Sequence, residues 1–257
     1  MKHILVCVKA VPVSSSVEVD GQHRLKRDGA SLQWNIADES ALEAAFRLAD
    51  RDGSVTVLTM GPPKLEGPLL ELLARGANRA VLITDRLMAG ADTRATARAL
   101  ASAAALGPFD AVFCGCKAID GETGQVPGEL AAALGLPCIS NAEKVEAAGD
   151  RLLVTRRLED GVQNLTVSGS AVISFSSYSY PLRLAGILGM RRARKTPVEI
   201  LTAADLGLTP EDCGLKGSLT KVVAMESRFP GLRRGPKETD LDAGVQNLRV
   251  LLREVRP

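Results

Sequence analysis

Histidine is nearly absent: His3 and His23 are the whole complement. A catalytic His triad or a His-rich metal site therefore has no material to be built from. Aromatic residues make up only 3% of the 257 residues, too few for a base-stacking nucleic-acid platform. The net charge is +2, so no global field recruits nucleic acid or a membrane surface. No apolar run approaches the roughly 18–20 residues that cross a bilayer. The cysteines (Cys7, Cys114, Cys116, Cys138 and Cys213) are odd in number and mostly set in apolar runs. That fits reduced, packing cysteines in a reducing compartment. Met1-Lys-His-Ile-Leu-Val lacks a signal-peptide layout, so a cytoplasmic protein is expected. Neither common nucleotide fingerprint, GxGxxG after a strand or GxxxxGK followed by Ser or Thr, is present.

What is present centres on residues 109–137. Asp110-Ala-Val-Phe-Cys-Gly115 is short, apolar and β-prone, and reads as a fully buried strand. Gly115, Gly121 and Gly124 follow closely, and from Thr123 the pattern turns helical, with Leu130, Ala131, Leu134 and Leu136 on one side. A strand feeding a glycine-rich loop and a helix N-terminus is a ready anion site, because free N–H groups and the helix dipole converge there, so the stretch reads as the main nucleotide-holding loop; an ordinary βα turn is the alternative.

Upstream, buried strands are predicted at His3 to Val8, Ser54 to Thr59 and Arg79 to Thr84, and another at Pro137 to Ser140. Between them lie a helix capped by Asp38, one closed by Gly76, and a long Ala-rich one capped by Asp92. Lys9 stands at the first strand's end, where it could meet a phosphate or a flavin or simply be solvated. Residues 12–33 suit a small hairpin or loop, with a turn at Asp20-Gly21 and basic residues Arg24, Lys26 and Arg27. Strands alternating with helices predict an α/β fold: a doubly wound, mostly parallel, Rossmann-like sheet.

After Asn141 the texture changes. Ala142 to Ala147, Arg151 to Leu158, Val162 to Val167 and Ala171 to Phe175 read as an antiparallel meander, an extension over 142–176. Tyr178 to Met190 is broken by Gly and Pro, too irregular for a predicted helix, and Val198 to Leu201 suits one more strand. Residues 1–200 are thus expected to form one domain with a loop at 178–197. Residues 201–257 form a C-terminal arm ending in an amphipathic helix, a tail of the kind that wraps a partner. Cys114 and Cys116 share a strand face, but with no third ligand nearby no metal is expected.

Several segments, in order, resemble the β subunit of electron transfer flavoproteins along nearly the whole chain. They are the strand ending in Val8-Lys9; Asn35-x-x-Asp38-Glu39-x-Ala41-Leu42-Glu43-Ala44-Ala45; Met60-Gly61-Pro62; Arg75-Gly-Ala-Asn-Arg79-Ala; Gly115-Cys-Lys-Ala-Ile-Asp-Gly-Glu-Thr-Gly-Gln125; and Tyr180 to Pro197. The resemblance implies a heterodimer with an α subunit carrying an electron-transferring FAD, and a second nucleotide, AMP or FAD, in the β subunit. Two-FAD members split electrons from NADH between two acceptors. Asp120-Gly121-Glu122-Thr123-Gly124-Gln125-Val126 looks like the two-FAD type, so FAD is preferred over AMP.

By position, the implied cofactor contacts are Cys7, Lys9, Asn35, Ile36, Ala37, Asp38, Met60, Thr93, Gly115, Cys116, Lys117, Ala118, Ile119, Asp120, Gly121, Glu122, Thr123, Gly124, Gln125 and Val126. Asn35 and Asp38 would read an adenine or ribose edge or cap their helix, and capping suits Asp38 better. Asp120 reads as a loop brace or N-cap, or as a solvated turn aspartate. Pro127-Gly128 reverses the family's Gly-Pro order, and Cys116 and Lys117 also depart from its pattern. Pro127 is harmless only in the first helical turn. Leu184, Ile187 and Leu188 match a loop that docks an acyl-CoA dehydrogenase or another flavin dehydrogenase; packing of Leu184 on the sheet is the alternative. No catalytic residue, nucleic-acid contact or membrane insertion is implied. A stand-alone regulator resembling universal stress proteins is a competing reading, weakened by the long tail. An enzyme of the nucleotide α-hydrolase type is another, weakened by the missing Ser-Gly-Gly phosphate loop.

Overall fold

The apolar runs become strands buried on both faces: Ile4, Leu5 and Val6 are at most 2% exposed. A computed structural model describes residues 2–13, 31–49, 53–223 and 239–254. The chain runs through β1 (His3–Cys7), β2 (Ala10–Pro12), β3 (Leu32–Trp34), α1 (Ile36–Ala49), β4 (Ser54–Met60), α2 (Glu66–Arg75), β5 (Arg79–Ile83), α3 (Thr93–Ala104) and β6 (Ala111–Gly115). It continues with α4 (Val126–Leu134), β7 (Cys138–Ala148), β8 (Arg151–Leu158), β9 (Gly161–Val167), β10 (Val172–Phe175), α5 (Ile187–Ala193), β11 (Glu199–Leu201), α6 (Gly214–Gly217) and α7 (Leu241–Glu254).

One sheet of nine strands has the order β11-β5-β4-β1-β6-β10-β7-β8-β9. From β11 to β7 every pairing is parallel, and β8 and β9 extend it as an antiparallel hairpin. Side chains alternate across each strand. Ile4, Val6, Val55 and Val57 pack with Leu42 of α1 and Leu69, Leu72 and Leu73 of α2. Leu5, Cys7, Leu58 and Val81 pack on the other face with Leu100 of α3 and Leu130 of α4. This is the expected α/β doubly wound sheet, with helices on both faces.

Four local expectations are corrected. Pro137 to Ser140 and Ala142 to Ala147 are not two strands; they form the single strand β7, with a register shift between Ala142 and Lys144. Ala171 to Phe175 is not part of the meander. β10 lies parallel between β6 and β7, and all four of its residues are buried. An apolar run without alternation is the mark of such a doubly covered strand. The segment thought too irregular for a helix contains α5. It seats on α2 so closely that a Cβ at Gly189 would lie 2.0 Å from the Ala74 carbonyl oxygen. The helix expected from Thr123 begins at Val126, which places Pro127 in the first turn, where its missing N–H costs nothing.

Much of the segment after residue 200 is seated on the domain. Ala203, Leu206 and Cys213 belong to the core, and Arg98 pairs with Asp212. Asp92 fixes the end of this stretch. One oxygen accepts from Ala95 N–H as the expected cap, and the other accepts from Leu219 N–H, Thr220 N–H and the Thr220 hydroxyl. Beyond, α7 exposes Leu241, Val245, Leu248, Leu251 and Leu252. β2 pairs antiparallel with β3, while the Asp20-Gly21 turn and the basic residues Arg24, Lys26 and Arg27 lie outside the described residues. Among the described residues no helix is long and apolar enough to cross a membrane.

Candidate functional site

The ends of β1 and β6 meet beneath the 116–125 loop, and the start of α1 joins them. Asp38 is 6% exposed. Its Oδ2 accepts from Lys9 N–H at 2.7 Å and its Oδ1 from Gly115 N–H at 2.8 Å. Gly115 makes that approach possible, since a Cβ there would lie 2.3 Å from Oδ1. Asn35 is 1% exposed; its amide donates to Lys117 O at 3.0 Å, and its Oδ1 accepts from Ile119 N–H at 3.2 Å. The expected cap by Asp38 is therefore corrected. α1 starts at Ile36, and Asn35 C=O receives the first helical N–H groups, from Asp38 and Glu39. Nor does either side chain face outward to read a base or ribose edge; both are spent on strand ends and loop backbone.

Lys9 and Asp120 are brought together. Lys9 Nζ lies 2.6 Å from Asp120 Oδ1, and the Asp120 side chain is 7% exposed. Asp120 thus braces the loop, and the solvated-turn reading fails. Cys7 and Ala37 are buried, and burial pushes the Cys7 thiol up to about 12, so it stays protonated. Ile36, Met60, Cys116 and Ala118 are half-buried around the same strand ends, while Lys117 and Ile119 are exposed.

Gly121, Glu122, Thr123, Gly124 and Gln125 are exposed. Glu122 and Gly124 adopt positive φ, at 51° and 63°, and Glu122 N–H closes a turn on Ala118 O. The N–H groups of Gly121, Thr123, Gly124, Gln125 and Val126 have no partner among the described residues. They gather at the N-terminus of α4, where the helix dipole adds positive potential. A Cβ at Gly121 would meet nothing within 4 Å, so the protein itself does not demand glycine there. The Thr93 hydroxyl faces Gln125 Oε1 and Glu129 Oε1, both at 3.1 Å, and Glu129 Oε2 is buried without a hydrogen bond. The open N–H groups suit a phosphate-bearing ligand on the loop's outer side, away from the Glu129 carboxylate.

A second feature lies along α1. Leu184 is 85% exposed, and Ile187 and Leu188 are each 81% exposed, so packing of Leu184 on the sheet is excluded. The neighbouring Arg183 is pinned. Its N–H, Nε and Nη2 all donate to the buried Glu43, and its guanidinium lies 4.8 Å from the Phe46 ring centre. Arg47 Nε donates to the same carboxylate, and Arg75 donates to Arg183 O. Burial alone would raise Glu43, but hydrogen bonds from Arg183 and Arg47 outweigh it and hold the carboxyl below its ordinary range. Sequence reasoning missed this network. The available signal was a carboxylate between Leu42 and Phe46 on the buried side of a helix, which requires a cation.

The 24–206 stretch matches the family model described as the electron transfer flavoprotein domain. The electron transfer flavoprotein subunit beta of Thermoanaerobacterium thermosaccharolyticum is 41% identical over 251 residues, covering 96% of each chain. The caffeyl-CoA reductase-Etf complex subunit CarD of Acetobacterium woodii is 36% identical, covering 85% of each. The acryloyl-CoA reductase electron transfer subunit gamma of Anaerotignum propionicum is 37% identical, covering 85% of this chain and 86% of its own. With a fold, a loop and relatives that agree from end to end, the chain belongs to the electron transfer flavoprotein family, among its β subunits.

Proposed function

We propose that this chain pairs with an α subunit and holds a nucleotide, FAD in preference to AMP, on the 115–126 loop. It passes electrons from NADH or a dehydrogenase to acceptors through the α-subunit FAD. The observation that carries the reading is the row of N–H groups at 121 and 123–126 without a partner among the described residues, on an exposed loop leading into a helix N-terminus. Gly121, Thr123, Gly124, Gln125 and Val126 would hold the phosphates. Asn35, Asp38, Lys9 and Asp120 would act indirectly, by holding the loop. A bound flavin supplies the redox centre, and the protein supplies position and electrostatics. The open space at Gly121 favours FAD over AMP. Any NADH oxidation belongs to the two-FAD complex and not to this chain alone.

Leu184, Ile187 and Leu188 form the surface offered to a flavin dehydrogenase, since exposed apolar side chains on a pinned loop and the helix start that follows it act as anchors. Two relatives are subunits named for CoA-ester reductases, caffeyl-CoA and acryloyl-CoA, which supports a partner of that class here. The arm beyond residue 220, with the apolar side chains of α7, would contact the α subunit.

The test is to purify the chain with its α subunit, record the visible spectrum and count FAD and AMP. Two FAD per heterodimer is the expected result. One FAD with one AMP selects the simple shuttle, and a heterodimer without flavin overturns the reading.

A further inference from the structure

In a doubly wound sheet the ligand crevice opens where the chain winds away in opposite directions from two neighbouring strands. Here those strands are β1, whose crossover leads to β4, and β6, whose crossover leads towards β7. Two backbone donors point into that crevice, Lys9 N–H and Gly115 N–H. Such a pair is the donor set that a ligand phosphate would use. In this chain both are already taken, by the two oxygens of one buried carboxylate.

We propose that Asp38 is a built-in anion that seals the crevice between β1 and β6 and thereby confines the nucleotide's phosphates to the 121–126 loop. The inference rests on the nucleotide-binding reading above and adds a positioning residue to it. Three observations converge. The fit is tight: Gly115 leaves no room for a side chain between the strand end and the carboxylate. The charge lacks an ion-pair partner, since no Lys or Arg forms one with Asp38 among the described residues, and Lys9 Nζ is held by Asp120. The backbone donors without a backbone acceptor among the described residues, at 117, 118, 121 and 123–126, all lie on the loop beyond the strand end. A phosphate approaching the two strand ends would find the Lys9 and Gly115 donors occupied and a like charge at their base.

The groups facing Asp38 are Cys7, Cys114, Cys116 and Lys9. Burial raises all three thiols, which leaves them uncharged. Burial also raises Asp38 to about 7, against the hydrogen bonds from Asn35, Lys9 and Gly115 and the charge of Lys9. The carboxylate therefore gains its charge within an accessible range.

Amide hydrogen exchange tests the proposal on the heterodimer with an isotope-labelled β chain, stripped of nucleotide and then reloaded with FAD. Lys9 and Gly115 amides should be protected before loading and unchanged after it. Gly121 and Thr123 to Val126 amides should gain protection only on loading. If Lys9 and Gly115 exchange freely until FAD arrives, the proposal is overturned while the nucleotide reading stands. If no amide responds, the nucleotide reading fails and takes the proposal with it. A second readout is the FAD dissociation constant between pH 6 and 8. It should rise roughly tenfold as Asp38 ionises. In Asp38→Asn it should stay flat, and a profile in that variant tracking the native one counts against the proposal.

Discussion

Lys9 Nζ and Asp120 Oδ1 lie 2.6 Å apart, so the cation at the end of β1 is held by the very loop it faces. On the proposed reading, Lys9 contributes through the loop's shape and not as a phosphate ligand. Lys9→Met leaves Asp120 buried with one donor fewer and should cost about 1–2 kcal/mol. Urea unfolding at constant m reads this. The salt dependence of FAD binding should be unchanged, because no phosphate contact is lost.

Gly115 and Gly121 should separate folding from binding. A Cβ at 115 would lie 2.3 Å from Asp38 Oδ1 and 2.7 Å from Ala37 Cβ. Gly115→Ala should destabilise by roughly 2–3 kcal/mol. Gly121→Ala meets no protein atom and should leave stability within about 0.5 kcal/mol. Its expected effect is on FAD affinity alone. Unfolding curves and flavin titrations of the two variants check both halves.

Glu43 sets an acid limit on the Arg183 loop. Its carboxyl is held below the ordinary 4.5, so its stabilisation is complete above that value. The stabilisation is lost as pH falls through the lower, folded value. Exchange rates at residues 183–188 should therefore rise only below about pH 4.5. Glu43→Gln should show the loosened loop already at neutral pH, with FAD content unchanged.

Asp38 has the opposite sign. Its folded value is raised to about 7 from 3.8, so its contribution to stability is greatest below 3.8. That contribution declines as pH rises towards 7. Urea midpoints from pH 4 to 7 should fall more steeply in the native protein than in Asp38→Asn.

Gly189→Ala tests the seat of α5. With the added carbon 2.0 Å from Ala74 O, the helix must lift from α2. A loss of about 1–3 kcal/mol is expected. Electron transfer from a dehydrogenase partner should show a raised KM, with the flavin spectrum unchanged.

The parallel sheet was legible because apolar runs such as Ser54 to Met60 and Arg79 to Ile83 sit between clear helix signals. β10 was misread because its four residues follow two true hairpin strands, and local pattern does not reveal which neighbour a strand chooses. The glycine loop was legible as a place but not as a set of roles. Asn35 and Asp38 are good capping types, and only the three-dimensional register of α1 against β6 shows them gripping Gly115, Lys117 and Ile119. Glu43 and Arg183 lie too far apart in sequence for any spacing rule to pair them.

α1 carries Asp38, which grips the ends of β1 and β6, and Glu43, the anchor of Arg183, five residues apart on one unbroken helix. At about 1.5 Å per residue, that fixes their axial separation near 7–8 Å. The helix is thus a ruler between the glycine loop and the exposed apolar surface of Leu184, Ile187 and Leu188. Its length there cannot drift: one residue inserted between the two acids would turn Glu43 by about 100° and point it away from Arg183.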